Sequence, residues 1–405
     1  MVSKLKTIQY IILLIMVFTI PLSKKINGIS LTLFYIISFF ILFLNKSYLT
    51  KLKKAIPLLL VISIFFIMKI PYYFNSISSN IWIKETTRSL SFLLLPVFII
   101  TLSDQRKIIV KILNSLLAGT LVSIIILWAN LLLKLFLGKI KFIKLLSNTT
   151  SNENFTQLLS IHPSYLGIII NISAVYLIFS KSKSEFLSKK RINIILLIFF
   201  LFSINLMARN SLIVLFILII YHFVKNFNKK NLIIISSTII LLGIITIIHP
   251  NNYLKRKLIY MTNIVDNDIG DRRLVRLKAS YKTFKKAPLF GVGIGNDDLS
   301  RKEFYKTFKE REAYIENHNS HNQFFEYLST YGLFGGIIFI TVFVILFIKS
   351  NKTGNIMFSY LFIILFIASL TESIFERVLG IILFSLVSSL FFLTLSQNKT
   401  LKLKH

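Results

Sequence analysis

Long apolar segments follow one another along this sequence, separated by short basic or turn-forming clusters. This pattern constrains the fold more than any other feature. Of the 405 residues, 55% are hydrophobic and 16% are charged, whereas charged residues make up about 25% of a typical soluble domain. A membrane-spanning helix needs about 20 mainly apolar residues, so the chain has room for about twelve spans. We therefore predict an all-α polytopic membrane protein and exclude a disordered chain or a soluble domain.

The predicted spans end where basic residues or turn formers interrupt the apolar segments. They are 8–22, 28–44, 55–70, 86–102, 109–137, 161–180, 192–206, 210–224, 232–248, 333–349, 356–371 and 377–395. The seventh and eighth are short enough to be tilted or partly re-entrant. The chain is thus predicted to consist of 1–248 with the first nine spans, a large loop at 249–332, and 333–405 with the last three spans and a tail.

The distribution of Lys and Arg predicts the orientation in the membrane. The clusters NKSYLTKLKK, DQRK, KSKSEFLSKKR, KNFNKKN and KSNK lie on one side together with both termini. That side has roughly twice as many basic residues as the short segments opposite, as cytoplasmic loops do. We expect both termini in the cytoplasm and the long loop outside. Lys4, Lys6 and the apolar run 8–20 resemble a signal sequence, but no cleavage pattern follows, so we expect a retained first span.

The net charge of +32 is explained by this topology. In a soluble protein such an excess would indicate nucleic acid as a partner. Here the bases lie between apolar segments, so we predict membrane lipids as neighbours and no nucleic acid. Cysteine is absent, which excludes disulfides, thiolate nucleophiles and cysteine metal sites.

Charged side chains at the external ends of spans are the candidate functional groups. A charge at the centre of a membrane helix costs about 2.5–3.5 kcal/mol on insertion scales, so a charged residue in or beside a span is expected to have a functional or structural role. The predicted topology places these candidates on the external side: Arg88, Arg209, Arg273, His162, His318, His321, Glu372, Glu376 and Arg377.

Two arginine motifs are candidates for binding a phosphate. Arg209 lies in NLMARNS, a short turn between short helices, where its guanidinium offers a permanently charged fork. Alternatively, it extends to the lipid interface. Arg272 and Arg273 begin a helical segment, and they bind either a specific anion or lipid head groups.

The histidines of HNSHNQFFEYL are candidates for a general base. A neutral imidazole takes a proton from a hydroxyl near physiological pH. His321 lies just before the span near Leu333, and His318 lies one helical turn earlier; either is the base or a structural histidine. With His162 they offer zinc ligands, but no carboxylate spacing supports a zinc site, so no metal is predicted.

The long loop contains two helical stretches. Apolar residues at helical spacing predict a surface-lying amphipathic helix, ended by Pro288 and GVGIGN, with a second stretch near 298–315. GVGIGN lacks the preceding strand of a dinucleotide site, so its glycines are interpreted as turn formers. The apolar positions that predict the amphipathic helix are Leu274, Leu277, Tyr281 and Phe284.

The acidic triplet Asp266–Asp268 resembles a metal-binding pair of nucleotide-sugar glycosyltransferases. We interpret it as an ordinary polar loop.

Five motifs occur in an order that resembles the O-antigen ligase and O-antigen polymerase superfamily. They are IHPSYLG, ARNS, RLVRLKASYKTFKKAPLFGVGIGN, SHNQFFEYLSTYGLFGG and LTESIFERVLG. The resemblance covers about residues 161–379. It implies a membrane glycosyltransferase of the C-type fold that takes glycan from undecaprenyl diphosphate with inversion, without nucleotide, cofactor or metal. It also implies a bacterial inner membrane location with a periplasmic site.

The resemblance assigns roles to individual residues. His321 corresponds to the family's loop histidine, a general base or acceptor-orienting group. Arg209 and Arg273 correspond to its pyrophosphate-binding arginines. Further candidates for binding substrate are Arg88 and Arg272, and secondary candidates are His318, Asn322, His162, Glu372, Glu376 and Arg377.

Ligase and polymerase share these motifs. The number of spans and the single dominant loop favour a ligase, which passes the glycan to a lipid A–core sugar, over a polymerase, which extends lipid-linked repeats. A protein O-oligosaccharyltransferase is a weaker alternative. The alternative from another class is a transporter or flippase of lipid-linked glycan, but transporters favour charged or broken helices near the midplane and related halves.

Overall fold

A computed structural model describes residues 2–45, 47–100, 102, 108–145, 147, 149–180, 188–225, 237 and 273–402. Within these residues the chain is helical and contains no strand, which confirms the predicted all-α class. It forms two compact units. The first unit comprises Met1–Met16, Gly28–Lys111 and Arg272–His405, and the second comprises Val17–Asn27 and Ile112–Asp271.

The described helices follow the apolar segments and add shorter helices between them. In chain order they are α1 (Val2–Thr19), α2 (Lys24–Leu44), α3 (Ser47–Ile67), α4 (Ser79–Ser89), α5 (Ser91–Ile100), α6 (Ile108–Phe136), α7 (Glu153–Thr156), α8 (Pro163–Phe179), α9 (Lys189–Leu206), α10 (Arg209–Lys225), α11 (Arg273–Lys286), α12 (Asn296–Thr307), α13 (Arg311–Glu316), α14 (Gln323–Lys352), α15 (Ile356–Ser369) and α16 (Val378–Lys402).

Some of these helices are long and apolar enough to cross a membrane. The described residues contain five such segments: Lys24–Leu44, Ala55–Tyr73, Ile108–Phe136, Gln323–Lys352 and Val378–Leu395. The count rises to six if α7 and α8, with the short turn between them, form one span bent by 76°. The chain thus has the helices of a multi-pass membrane protein.

The twelve predicted spans are not confirmed. Helices α10 and α15 have 17 and 14 residues, fewer than the about 20 that a perpendicular span needs. Helix α9 begins with Lys189, Lys190 and Arg191, whose charges lower the hydropathy of its first turn. The predicted span 232–248 lies outside the described residues, apart from residue 237, and so does the acidic triplet at 266–268.

Phe375 fixes the segment between α15 and α16 in the first unit. The centroid of its ring lies 5.1 Å from those of Phe65 on α3, Phe92 on α5 and Phe384 on α16. Aromatic pairs at this spacing contribute about 0.5–1.5 kcal/mol beyond the burial of their area. Three helices therefore hold the segment 370–377, which carries two carboxylates of the candidate site.

Helix α14 is broken at Gly332, whose backbone angles (φ 66°, ψ −159°) are not helical. A turn that follows α11 supplies the missing partners. The N–H of Leu333 donates to the carbonyl of Pro288 at 2.8 Å, and the carbonyl of Thr330 accepts from the N–H of Gly293 at 3.0 Å. Backbone groups at the break are therefore bonded within the protein, as buried backbone groups generally are.

The turn runs from Pro288 through the glycines of GVGIGN, and we call residues 288–295 the glycine turn. Its three glycines have positive φ angles of 71°, 93° and 83°. A β-carbon at Gly291 would lie 2.3 Å from the carbonyl oxygen of Thr330, so only glycine allows this approach. The hydroxyl of Tyr72 donates to the carbonyl of Phe290 at 2.7 Å. The glycines act as turn formers, as the sequence indicated.

Helices α11, α12 and α13 pack together ahead of α14. They share a small core of fully buried residues, Ala279, Tyr305 and Ala313. On α11 the apolar stripe predicted from the sequence faces outward, with Leu274 and Tyr281 exposed. The second predicted stretch, 298–315, is two helices because the chain turns at Lys309, which has a φ of 55°.

Candidate active site

A carboxylate joins the predicted base to one of the predicted arginines. Oε2 of Glu372 lies 3.1 Å from Nδ1 of His321, and its Oε1 lies 3.4 Å from Nη2 of Arg273. The Glu372 side chain is 12% exposed, whereas His321 and Arg273 are 24% and 36% exposed. The carboxylate is therefore mostly covered, and the imidazole and guanidinium remain accessible. We call these three side chains the His321 group.

The contact with Glu372 assigns the two ring nitrogens of His321. An ionised carboxylate only accepts hydrogen bonds, so Nδ1 is the donor. The lone pair then lies on Nε2, which no residue in the described part of the chain hydrogen-bonds. This nitrogen is the atom that can accept a proton from a hydroxyl group.

The loop before α14 holds His321 in the left-handed backbone region, with φ at 50°. The side-chain oxygen of Asn319 accepts from the backbone N–H of His321 at 3.1 Å. Asn322 caps α14, because its Oδ1 accepts from two backbone N–H groups of the first turn at 2.9 and 3.2 Å. Its Nδ2 donates to the carbonyl of Leu370 at 2.9 Å. Asn322 thus ties the loop between α13 and α14, which we call the histidine loop (residues 317–322), to the segment that carries Glu372.

His318 lies beside His321 but has a different partner. The two ring centroids are 6.0 Å apart with perpendicular planes. Nε2 of His318 lies 2.6 Å from a carboxylate oxygen of Glu316, whose side chain is 61% exposed. Of the two histidines, His321 is the one whose carboxylate partner is covered and also binds an arginine.

A buried ion cluster beneath the histidine loop was not found from the sequence. Nη2 of Arg301 lies 2.7 Å from Oε1 of Glu326 and 3.1 Å from Oδ2 of Asp297. The other oxygen of Glu326 accepts from the backbone N–H and hydroxyl of Ser320, at 3.0 and 2.6 Å. The four-residue spacing from Asp297 to Arg301 signals a helical ion pair. No sequence signal identifies the contact with Glu326.

Arg88, a predicted substrate-binding residue, belongs to a different charge cluster of the first unit. Its Nη1 lies 2.8 Å from a carboxylate oxygen of Glu85, 3.0 Å from the carbonyl of Glu376 and 3.6 Å from the Glu376 carboxylate. Burial, with the nearby Glu85 carboxylate adding to it, raises the pKa of Glu376 to about 7. The ammonium of Lys69 donates to the carbonyl of Glu85 at 3.3 Å. Arg377 is exposed.

Arg209 lies in the second unit as the first residue of α10. The turn before it is short because Met207 has a left-handed φ of 52° and ends α9. Asn171 on α8 donates its side-chain N–H to the carbonyl of Ser211 at 3.1 Å. The first turn of α10 is therefore fixed against α8, which agrees with the predicted turn between two short helices.

His162 is the N-cap residue of α8 in the same unit. Its Nδ1 accepts from the backbone N–H of Ser164 at 3.3 Å, and its Nε2 lies 3.2 Å from a carboxylate oxygen of Glu153. It thus has the contacts of a helix-capping residue. Arg272 lies outside the described residues.

Two groups of potential metal ligands occur among the described residues, each with ligand atoms within 4.8 Å of one another: Asp297, Asp298 and Glu326, and Glu312, Glu316 and His318. In the first group, the guanidinium of Arg301 contacts all three carboxylates. The second group lies on the surface around α13, with both of its carboxylates exposed.

Residues 192–340 match the family described as O-antigen ligase. This part of the chain is similar to that family. The predicted resemblance to the O-antigen ligase and polymerase superfamily is therefore confirmed. Members of this family are membrane enzymes of the glycosyltransferase type. The O-antigen ligase match contains Arg209, Arg273 and His321, whereas Glu372 lies beyond its end. No curated protein matches the chain.

Proposed function

We propose that this protein is an O-antigen ligase. It transfers glycan from undecaprenyl diphosphate to a hydroxyl group of a lipid A–core sugar, on the periplasmic face of the bacterial inner membrane. The family match and the multi-pass helices support a lipid-linked glycan as donor. The observation that carries the proposal is the His321 group, in which one carboxylate binds both a histidine and an arginine.

His321 acts as the general base. The acceptor hydroxyl lies against Nε2, which takes its proton as the hydroxyl oxygen attacks the anomeric carbon. The new carbon–oxygen bond forms on the face opposite the bond to the diphosphate, so the configuration at this carbon inverts. Glu372 accepts from Nδ1 and stabilises the imidazolium that forms, because opposite charges at hydrogen-bonding distance attract strongly when partly covered.

Arg273 stabilises the leaving group. As the carbon–oxygen bond to the phosphate breaks, the electron pair goes to the diphosphate, which leaves on the lipid. A guanidinium has five N–H donors, so Arg273 can bind Glu372 with one N–H group and phosphate oxygens with the others. We assign the same type of contact to Arg209, in keeping with its place in the family motif and at the start of a helix, where anions are favoured.

The proposed function is tested with purified protein, undecaprenyl-diphosphate-linked glycan and lipid A–core, without nucleotide and with EDTA. Glycan on lipid A–core, formed by the natural protein and lost in His321→Ala, is the expected result. A ladder of longer lipid-linked glycans would identify a polymerase instead. If the donor stays intact, although both lipid A–core and a second lipid-linked glycan are present as acceptors, the result would contradict glycosyl transfer and would favour transport.

A further inference from the structure

Glu326 contacts the immediate neighbours of both members of the His321–Glu372 pair. Its Oε2 accepts from the backbone N–H and hydroxyl of Ser320, the residue before His321, and lies 3.4 Å from the hydroxyl oxygen of Ser373, the residue after Glu372. The two serine hydroxyls are themselves 3.3 Å apart. One carboxylate therefore links the two segments that bring the proposed base and its partner together.

Arg301 holds this carboxylate in place. Its side chain is 1% exposed and its guanidinium reaches Oε1 of Glu326 at 2.7 Å, which leaves Oε2 for the serines. Nη1 of Arg301 donates to the hydroxyl of Ser329, one turn further along α14, at 3.1 Å. A buried charge needs a partner, because an unpaired charge in the interior costs several kcal/mol. Arg301 and Glu326 therefore fix each other between α12 and α14.

The conformation of the histidine loop needs such a constraint. A non-glycine residue in the left-handed region costs about 1–3 kcal/mol and persists only where its surroundings determine it. His321 has a φ of 50°, and the bonds of Ser320 to Glu326 hold the residue immediately before it. If the loop relaxed, Nδ1 of His321 would move away from Glu372.

We infer that Arg301 and Glu326, acting through Ser320 and Ser373, are positioning residues that set the His321–Glu372 contact. This inference rests on the proposed function, in which His321 is the base. None of the four side chains needs to touch the substrate. Their effect is on the geometry of the reacting groups, and a misplacement by about 1 Å can cost about 10²-fold in rate.

The test compares a double variant, Ser320→Ala with Ser373→Ala, in two backgrounds. In the natural protein we expect kcat to fall by about 10- to 10²-fold, with a nearly unchanged KM for the lipid-linked donor. In the Glu372→Gln background the contact between residue 372 and His321 is already weakened. The same double variant should therefore lower kcat by less than about threefold, because the effects of substitutions that act through one contact do not add. Glu326→Gln should behave like the double variant.

Glu303→Gln is the matched control, since Glu303 lies on the same helix as Arg301 but is exposed and bound to Lys286. Its kcat should equal that of the natural protein. Melting temperatures in detergent show that the compared proteins are folded. Equal fold-losses of the serine variant in both backgrounds, or full activity of the folded serine variant, would overturn the inference. If His321→Ala is itself active, the failure lies in the proposed function.

Discussion

Nδ1 of His321 and Oε2 of Glu372 lie 3.1 Å apart, although the two residues are separated by 51 positions in the chain. The contact joins the loop before α14 to the segment after α15. It also distinguishes His321 from His318, whose partner Glu316 is exposed and only two residues away. The structure therefore supports His321 as the base where the sequence left both histidines open.

Replacing His321 should remove the activity without unfolding the protein. We expect His321→Ala to lower glycan transfer by about 10²- to 10⁴-fold, the usual contribution of a general base. His318→Ala is the matched control and should retain most of the activity, measured as glycan on lipid A–core per amount of folded protein. A larger loss in His318→Ala than in His321→Ala would reverse the assignment.

The two arginines should affect the donor more than the acceptor. In the proposed mechanism each of these arginines contributes a guanidinium contact to the departing diphosphate, so we expect kcat/KM for the donor to fall by about 10²-fold or more in Arg273→Ala and in Arg209→Ala. Arg273→Lys should restore little, because a lysine does not present a planar fork. Arg311→Ala on α13 serves as a control for the loss of a positive charge. Unchanged donor kinetics in Arg273→Ala would contradict diphosphate binding.

Glu376 should make thermal stability fall as the pH rises. Its pKa is raised from an ordinary value of 4.5 to about 7 in the folded protein. A raised pKa means that the folded state holds the proton more tightly, so the associated stability is present below about pH 4.5 and is lost as the pH rises through about 7. Glu376→Gln should flatten the melting temperature across this window. An equally steep decline in the variant would show that other groups are responsible.

A methyl group at Gly332 should destabilise the broken helix. Gly332 and Gly354 have nearly equal φ angles of 66° and 67°, but a β-carbon would meet the carbonyl oxygen of Leu289 at 2.4 Å in Gly332 and no atom within 4 Å in Gly354. Both alanine variants incur the backbone strain, about 1–3 kcal/mol. We expect Gly332→Ala to have the lower melting temperature by several degrees. Equal melting temperatures would mean that the glycine turn is not tightly held.

The sequence predicted those features that depend on local pattern. Hydropathy located the segments that became α2, α6 and α16, and the glycines of GVGIGN indicated a turn. The span count was less well determined, because hydropathy cannot show where a helix bends, breaks or ends early. For the same reason, hydropathy did not show that α14 begins at Gln323, before the predicted span at 333–349.

The site was only partly predictable. The type and position of His321 and Arg273 suggested their chemistry, but not that one carboxylate joins them. Arg301 stands on a polar stretch where a charged side chain is normally solvated, whereas Glu326 lies among the aromatic residues of QFFEYL. Their contact arises from the packing of α12 against α14. Contacts between distant segments depend on the tertiary fold, which residue spacing does not encode.

The glycine turn has a consequence for chain length. Hydrogen bonds between the turn and α14 pair residues in a fixed register, from Pro288 with Leu333 to Gly293 with Thr330. One inserted or deleted residue in the turn would shift each pair and leave backbone groups without partners, including those of the buried Gly291 and Gly293. An unsatisfied buried polar group costs several kcal/mol. Variation in loop length between related chains is therefore expected before α11 rather than between Pro288 and Gly293.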